Sequence, residues 1–370
     1  MTPSLHLPLS IRTRRSSGVA VRALVVGAVA TSVALLGACG NDNSANAGKS
    51  PSASASAKSS ASPSATTSAS PSPSATPTVK PSTNLDAIKV KGSYGKAPKI
   101  TVKHPWAINK TQSKVLSKGK GAKVTGTATV GVDYSGWDGR TGKEFDSSFD
   151  KSFGHQQTTY FPLDQVVAGF KKGLQGHHVG DRVLIAMTGK DGYDSSGGNA
   201  QAGINVGDSL IFVVDIESAT LPSATGTTVK PKSGLPTVTM VDNAPKVTIP
   251  STAAPTKTTV QPLIKGTGAK VKSTDLVTTR SVTVLWNGGK VVDNSWKTPF
   301  APQQDPSTGA VTPTRLKAMQ TAMVGQPVGS RLLIVFPPGK GYPNGDKSQG
   351  IAKTDTVVMV VDILFTQPAQ

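Results

Sequence analysis

The stretch Thr127-Ala-Thr-Val-Gly-Val-Asp-Tyr134, followed by Lys143-Glu-Phe-Asp-Ser-Ser148, decides the fold of the first half of this chain. Apolar side chains recur here at every second position, at Ala128, Val130, Val132 and Tyr134. This alternation is typical of a strand with one face buried in a core. We therefore expect a sheet whose packed face includes Tyr134.

Two further segments predict central strands, and one predicts a helix. Arg182–Met187 and Ser209–Ile216 are dense in Val, Ile, Leu and Phe, as buried strands are. Pro162 precedes the predicted helix, Asp164 can cap it and Gly176 ends it. Its apolar positions follow helical spacing, at Val167, Phe170 and Leu174. These elements predict an α+β domain, in which a curved antiparallel β-sheet wraps around one short α-helix.

The chain repeats itself with a period of domain size. Ala97–Val102 returns 147 positions later as Ala244–Ile249, and Lys118–Val124 returns at the same offset as Lys265–Val271. The second copy repeats the predicted elements as strand Ser281–Trp286, helix Leu316–Met323, and strands Arg331–Phe336 and Thr356–Phe365. Because this period far exceeds that of solenoid repeats, we expect two domains of one fold.

Composition limits the classes of function. The chain has 370 residues, a net charge of +19 and 36% hydrophobic residues, so it can build ordinary cores. The excess of positive charge comes mainly from lysines, which are spread thinly along the chain. Such a charge suits nucleic acid, or a solvated surface that faces an anionic membrane or cell wall. Because the chain begins with an export signal, described next, we expect no nucleic-acid partner.

The N-terminus has the pattern of a lipoprotein signal. Four arginines accompany an apolar run, Ala23–Leu36, which is short for a membrane span and suits a signal peptide. The run ends in Leu36-Gly-Ala-Cys39, which resembles the bacterial lipobox and contains the only cysteine. We expect residues 1–38 to be the signal peptide and Cys39 to carry lipid at the extracytoplasmic face of the cell membrane. An uncleaved anchor is the alternative, and Sec and twin-arginine export both stay open.

Composition also predicts the domain boundaries. Residues 39–84 are mostly Ser, Ala, Pro and Thr and predict a disordered stalk, because they have almost nothing to bury. We expect the first domain at 85–222, with its core at 118–218. A stretch rich in Pro, Gly, Ser and Thr predicts a linker at 223–235, followed by the second domain at 236–370.

A series of motifs in the first copy resembles a known family. In order, they are Val132-Asp-Tyr-Ser-Gly136, Phe145-Asp-Ser-Ser148, Phe161-Pro-Leu-Asp-Gln-Val-Val-Ala-Gly-Phe170, Val179-Gly-Asp-Arg182, Gly192-Tyr193, Gly203-Ile204 and Leu210-Ile-Phe212. Their order and spacing, over residues 118–218, resemble the FKBP-type peptidyl-prolyl cis-trans isomerases. The resemblance implies two FKBP-like domains.

The resemblance also implies a set of pocket residues. They are Tyr134, Phe145, Asp146, Phe161, Val166, Val167, Phe170, Tyr193, Ile204 and Phe212. Two positions depart from the family pattern. Phe170 stands where a tryptophan usually forms the pocket floor, and Thr159 stands where a further aromatic wall residue is usual. Both changes reduce the apolar area offered to a proline ring.

The implied chemistry needs no nucleophile, metal or cofactor. Rotation about a peptide bond faces a barrier of ~18–20 kcal/mol from amide resonance. A pocket that desolvates the amide and binds its twisted form best lowers that barrier. The resemblance assigns the Tyr193 hydroxyl and the Ile204 backbone N–H as donors to substrate carbonyls, with Asp146 and Tyr134 at the rim. It implies proline-containing exported polypeptides as clients and macrolide FKBP ligands as candidate binders.

Other interpretations of the same residues are weaker. His177-His178 lacks partners at metal-ligand spacing, and Asp191 and Asp194 lack the EF-hand pattern. A non-catalytic chaperone or scaffold that binds peptides without turnover is the main alternative function. A solute-binding lipoprotein is disfavoured, because such proteins have two α/β lobes with longer helices.

The second copy has the same predicted elements as the first but lacks many of the implied pocket residues. Asp293 and Tyr342 match Asp146 and Tyr193, whereas Ser281, Val292, Met319 and Met359 stand at Tyr134, Phe145, Phe170 and Phe212. Arg315 replaces the first helix valine, Val166. Methionine fills space but cannot form a rigid aromatic box. We therefore expect the activity mainly in the first copy.

Overall fold

A computed structural model describes residues 79–155, 158–296 and 317–369 of the chain. The strands are β1 Lys89–Lys91, β2 Lys99–Thr101, β3 Gln112–Ser117, β4 Thr129–Asp138, β5 Glu144–Ser147, β6 Thr159–Pro162, β7 Arg182–Met187, β8 Leu210–Ala219, β9 Thr227–Thr228, β10 Thr237–Val241, β11 Ala244–Thr248, β12 Thr259–Lys265, β13 Asp275–Leu285, β14 Val291–Asn294, β15 Arg331–Phe336 and β16 Val357–Pro368. The helices are α1 Ala168–Leu174 and α2 Lys317–Met323.

The first half is built on an antiparallel sheet with the strand order β3-β7-β8-β4-β5, and β6 also pairs with β4. The alternating residues of the opening stretch point to one face, where they are buried against Phe170 and Leu174 of α1. The expected strand β7 is present at its predicted bounds. This face forms the larger core of the first half and contains the implied pocket.

Helix α1 begins later than its sequence signals suggest. Its N-cap is Val167, which makes no side-chain capping bond, so the predicted cap at Asp164 is wrong. The helix lies very close to β7. A Cβ atom at Gly169 would lie 2.5 Å from the sulfur of Met187, and one at Gly173 would lie 2.7 Å from Ile185. The two glycines therefore allow the close contact that seats Phe170 in the core.

A second core, not predicted from the sequence, covers the opposite face of the same sheet. The hairpin β1–β2 and the segment that follows it pack on residues that alternate with those facing α1. The cluster is Leu85, Ile88, Val102, Trp106, Ile108, Trp137, Leu184, Ala186, Ile211 and Val213. The hairpin β10–β11 covers the corresponding face of the second sheet.

The second half repeats the first in topology and register. Its sheet has the strand order β14-β13-β16-β15-β12-β9. Tyr134 pairs with Val214 in the first sheet, and Ser281 pairs with Val361 in the second, each 147 positions later. Each half also contains one buried arginine–aspartate ion pair. Arg182 lies 2.6 Å from Asp215, and Arg331 lies 2.7 Å from Asp362.

The segment between the halves is fastened to the second sheet. The predicted linker contains the edge strand β9, which pairs with β12. Just before it, the N–H of Leu221 donates to the carbonyl of Leu364 at 3.0 Å, and that of Ala224 donates to the Asp362 carboxylate at 2.9 Å. The rings of Tyr160 and Phe365 meet edge to face, with centroids 6.1 Å apart. Direct contacts therefore join the two halves.

Several expectations fall on residues that the structure does not describe. They concern the signal peptide, Cys39, most of the stalk, Arg315 and the first residue of the predicted second helix. Within the described ranges, no helix is both long and apolar enough to span a membrane.

Candidate active site

Aromatic rings from four strands and one helix meet in the core of the first half. Phe170 on α1 lies at the centre, with its ring centroid 4.7 Å from that of Phe212, 5.6 Å from Phe161 and 6.3 Å from Tyr134. Phe145 meets Phe212 edge to face at 5.5 Å. The sequence-implied residues other than Asp146 all belong to this one packed cluster. Asp146 joins it through a hydrogen bond with Tyr134.

Gly136 allows these rings to come together. A Cβ atom at this position would lie 2.6 Å from the Phe212 ring and 2.9 Å from the Phe145 ring. The glycine of the Tyr-x-Gly motif is therefore required by ring packing, two residues after Tyr134 on the same strand.

The polar part of the site is a three-residue network. The Tyr134 hydroxyl donates to Oδ2 of Asp146 at 2.5 Å, and Nε2 of His155 lies 2.8 Å from Oδ1 of the same carboxylate. His155 also lies 3.4 Å from the Tyr134 hydroxyl. The Asp146 side chain is 1% exposed, so both oxygens depend on these partners. Sequence reasoning missed His155, which lies in a polar loop nine residues after Asp146 and belongs to no motif.

Both tyrosines of the cluster, Tyr134 and Tyr193, have a raised pKa. Burial raises the pKa of Tyr134 well above its usual value, and the negative charge of Asp146 raises it further. Burial also raises the pKa of Tyr193, again with a contribution from Asp146. The two hydroxyls are therefore donors at neutral pH.

The backbone donor assigned by resemblance is not available. The N–H of Ile204 donates to the carbonyl of Asn199 at 2.9 Å within its own loop, so its expected role toward substrate is wrong. Val167, the half-buried N-cap of α1, packs against the aromatic cluster. Its N–H makes no hydrogen bond to another described residue, as expected at the first turn of a helix, so it is one backbone donor available beside Phe170.

The histidine pair outside this cluster has a structural role. Nε2 of His177 lies 2.9 Å from the Ser113 hydroxyl, and its Nδ1 lies 3.6 Å from Asp181. The Asp181 carboxylate already accepts the backbone N–H groups of Gly119 and His178, and so fixes the turn after α1. A cavity of about 590 Å³ lies beside this turn. Among the described residues, no group of three potential ligands is placed to hold a metal ion.

In the described part of the second half, the backbone is the same, and the positions of Tyr134, Phe170 and Phe212 carry no ring. The N–H of Ser281 donates to the Ser295 hydroxyl, as that of Tyr134 does to Ser148. Met319 and Met359 are buried at the positions of Phe170 and Phe212. Aliphatic and methionine side chains therefore fill the volume that aromatic rings fill in the first half.

Known proteins share these sequence features. The family model of FKBP-type peptidyl-prolyl cis-trans isomerases matches residues 120–217. A probable FK506-binding protein of Corynebacterium glutamicum is 36% identical over 101 residues, which cover 27% of this chain and 80% of that protein. A probable FKBP-type peptidyl-prolyl cis-trans isomerase of Haemophilus influenzae is 36% identical over 113 residues. That match covers 30% of this chain and 44% of the relative, so the chain spans less than half of that protein.

A solved structure of the three FKBP domains of wheat FKBP73 is also similar. It is 17% identical, and the match covers 70% of this chain and 94% of that chain with a TM-score of 0.28. The aromatic cluster, the matched motifs and the coverage of the Corynebacterium relative lead to one conclusion: the chain belongs to the family of FKBP-type peptidyl-prolyl cis-trans isomerases.

Proposed function

We propose that the aromatic cluster of the first half is the catalytic pocket and that the second half contributes little turnover. The observation that carries this proposal is the convergence of Tyr134, Phe161, Phe170 and Phe212 beside the buried Asp146. The second half has no such set of rings at Ser281, Met319 and Met359. Fewer rings mean less desolvating area for a proline side chain.

The proposed mechanism is conformational and has no covalent step. Phe170 and Phe212 form the apolar floor against which the proline ring lies. The cluster excludes water from the amide and so disfavours its planar, charge-separated form. The Tyr193 hydroxyl and the Val167 N–H donate to substrate carbonyls, while Tyr134 and His155 hold Asp146 at the rim. These interactions favour the twisted amide over the planar one, which is what raises the rate.

We also propose that the chain contains two FKBP-like domains at 85–222 and 236–370, joined by the segment 223–235. The shared order of five strands in the two sheets and the registers 147 positions apart support this division. The segment 223–235 differs from a free linker, because it supplies β9 to the second sheet.

The proposed setting is the outer face of a bacterial membrane, with exported proline-containing polypeptides as clients and macrolides as candidate ligands. The lipobox-like residues Leu36–Cys39 and the stalk composition support a lipid anchor on Cys39. Intact-mass measurement of the membrane-purified chain should show a diacylglycerol adduct, and Cys39→Ala should release the chain or leave a longer precursor. An unmodified Cys39 in the purified chain contradicts the anchor.

A pair of matched variants tests which half is catalytic. In the full chain, Phe170→Met gives the first half the residue type of the second, and Met319→Leu makes a similar-sized change in the second. We expect Phe170→Met to lower kcat/KM on a model Xaa-Pro peptide by about tenfold, because the pocket floor loses its ring. Met319→Leu should leave kcat/KM unchanged, with circular dichroism confirming that both variants fold.

The opposite pattern would assign catalysis to the second half. A wild-type chain that binds proline peptides without accelerating isomerisation would support a peptide-binding role without turnover.

A further inference from the structure

The outer face of the hairpin β1–β2 has an unusual concentration of positive charge. Val90 and Ile100 face the second core of the first half, whereas Lys89, Lys91 and Lys99 are exposed on the other side. We call these three residues the basic hairpin face. Residues 85–110 contain six lysines and one acidic residue, Asp86, so the positive charge is more concentrated than the sequence interpretation supposed.

Two of these lysines are placed directly opposite each other. Lys91 pairs with Lys99 across the two strands. Like charges directly opposite in an antiparallel pair are destabilising. Neither lysine forms an ion pair with a described carboxylate, and Asp86 lies 3.6 Å from Lys114 instead. The hairpin thus keeps an arrangement that opposes its own stability.

The fold does not require this arrangement, because the second half builds the same hairpin without it. Thr239 pairs with Lys246 in β10–β11, and Lys246 is the equivalent of Lys99. The rest of that exposed face is uncharged, with Thr237 and Thr248 on it. Of the two hairpins, β1–β2 has the opposed pair Lys91 and Lys99 and β10–β11 does not. The pair is therefore not needed for the fold, which points to another role.

The basic hairpin face lies on the side of the sheet away from the pocket. Ile185 and Phe212 belong to the core with α1, and their neighbours Leu184 and Ile211 belong to the core under the hairpin. A polypeptide bound in the pocket would therefore not lie on these lysines. A flat anionic surface could contact the hairpin while the pocket stays open on the opposite side.

We propose that the basic hairpin face binds the anionic headgroups of a lipid bilayer and thereby holds the catalytic pocket away from the membrane. This inference rests on the proposed setting at the membrane surface. Each lysine near an anionic surface strengthens binding about fivefold at low salt.

The test uses the chain from Gly40 onward, which keeps every described residue and lacks the proposed lipid. Binding is measured by co-sedimentation with vesicles of phosphatidylglycerol and phosphatidylcholine, and with phosphatidylcholine alone. The test variant is Lys89→Thr/Lys91→Thr/Lys99→Thr. The control is Lys246→Thr/Lys257→Thr/Lys265→Thr, which removes the same charge from exposed positions of the second half.

We expect wild type to bind the anionic vesicles, with an affinity that falls as salt rises. The test variant should bind on the order of a hundredfold more weakly, and the control should change less than a few-fold. Thermal unfolding of the test variant should not occur at a lower temperature, since the opposed pair has been removed. Isomerase activity should be unchanged in both variants, which separates this inference from the assignment of the pocket.

Three results would overturn the inference. Equal losses in the two variants would mean that net charge alone drives binding. Equal binding to neutral vesicles would exclude headgroup charge. Binding of the wild type to a soluble polyanion such as polyphosphate, with none to vesicles, would assign the face to a different partner.

Discussion

The two halves of the molecule have the same backbone and different interiors. Both have five strands in the same order, a covering hairpin and a buried arginine–aspartate pair, at Arg182–Asp215 and Arg331–Asp362. Among the described residues, the first half has the aromatic rings of Tyr134, Phe145, Phe170 and Phe212 where the second half has Ser281, Val292, Met319 and Met359. Features present in both halves are therefore those that the fold requires. Features present in one half, such as the ring cluster and the basic hairpin face, are not required by the fold, and we interpret them as functional.

The largest effect is expected at the shared ion pairs. Asp215→Ala and Asp362→Ala each leave a buried arginine without its carboxylate, because both aspartates are fully buried. Removing one partner of such a pair costs ~3–5 kcal/mol. We expect each variant to destabilise mainly its own half, measured by urea denaturation with hydrogen exchange to locate the unfolding. If Asp215→Ala left the protection of the first half unchanged, the shared pair would not be essential to the fold.

The next effect separates the halves by activity. The fragment from Leu221 to Gln370, which keeps β9 and Leu235, should isomerise Xaa-Pro peptides at least tenfold more slowly than the fragment from Leu85 to Pro222. About 100 Å² less apolar contact at ~25 cal/mol per Å² weakens proline binding by roughly 2.5 kcal/mol. The measurement is kcat/KM for each fragment, after circular dichroism shows that it folds. Similar rates would mean that the number of rings does not determine activity.

His155 should have a smaller effect, confined to the first half. His155→Ala removes one of the two partners of the buried Asp146 carboxylate, and an unsatisfied buried acceptor costs ~1–3 kcal/mol. We expect kcat/KM to fall about tenfold, and His155→Gln to recover part of it by restoring a donor. If both variants behaved like wild type, water would be replacing the histidine and the network would not position Asp146.

The smallest effect is expected at Tyr193. Tyr193→Phe removes the hydroxyl and keeps the ring, and one hydrogen bond of this kind contributes ~0.5–1.5 kcal/mol. We expect kcat/KM to fall between two- and tenfold. Because burial raises the pKa of Tyr193, its hydroxyl stays protonated across the neutral range, so the loss should be the same at pH 6 and pH 8. If the loss in kcat/KM differed between pH 6 and pH 8, a group other than Tyr193 would be titrating in this range.

The predictability of each element depended on how local its signal is. Strands β7 and β15 were predicted at their bounds, because each has five consecutive apolar residues after an arginine, a pattern typical of a buried strand. The start of α1 was misplaced, because Asp164 offers a capping side chain that the structure leaves unused. The hairpin β1–β2 was missed, because Val90 is the only apolar residue in its first strand.

The predictability of the site residues also depended on how local their sequence signals are. Phe145, Phe170 and Phe212 could be found because each belongs to a motif with fixed spacing. His155 could not be found, because it belongs to no motif and only the path of its loop brings it back to Asp146. The role given to Ile204 was wrong, because a backbone N–H in a loop is used by whichever carbonyl the loop geometry brings near, here that of Asn199.

The contact between Tyr160 and Phe365 connects the aromatic cluster of the first half to the second half. Phe365 is buried, yet it belongs to neither packed cluster of its own half, and its ring meets Tyr160 instead. The neighbour of Tyr160 on β6 is Phe161, which contacts Phe170 in the aromatic cluster. The second half therefore packs against the strand that carries one ring of the cluster, so a substitution at Phe365 would change the packing of that strand from outside the first half.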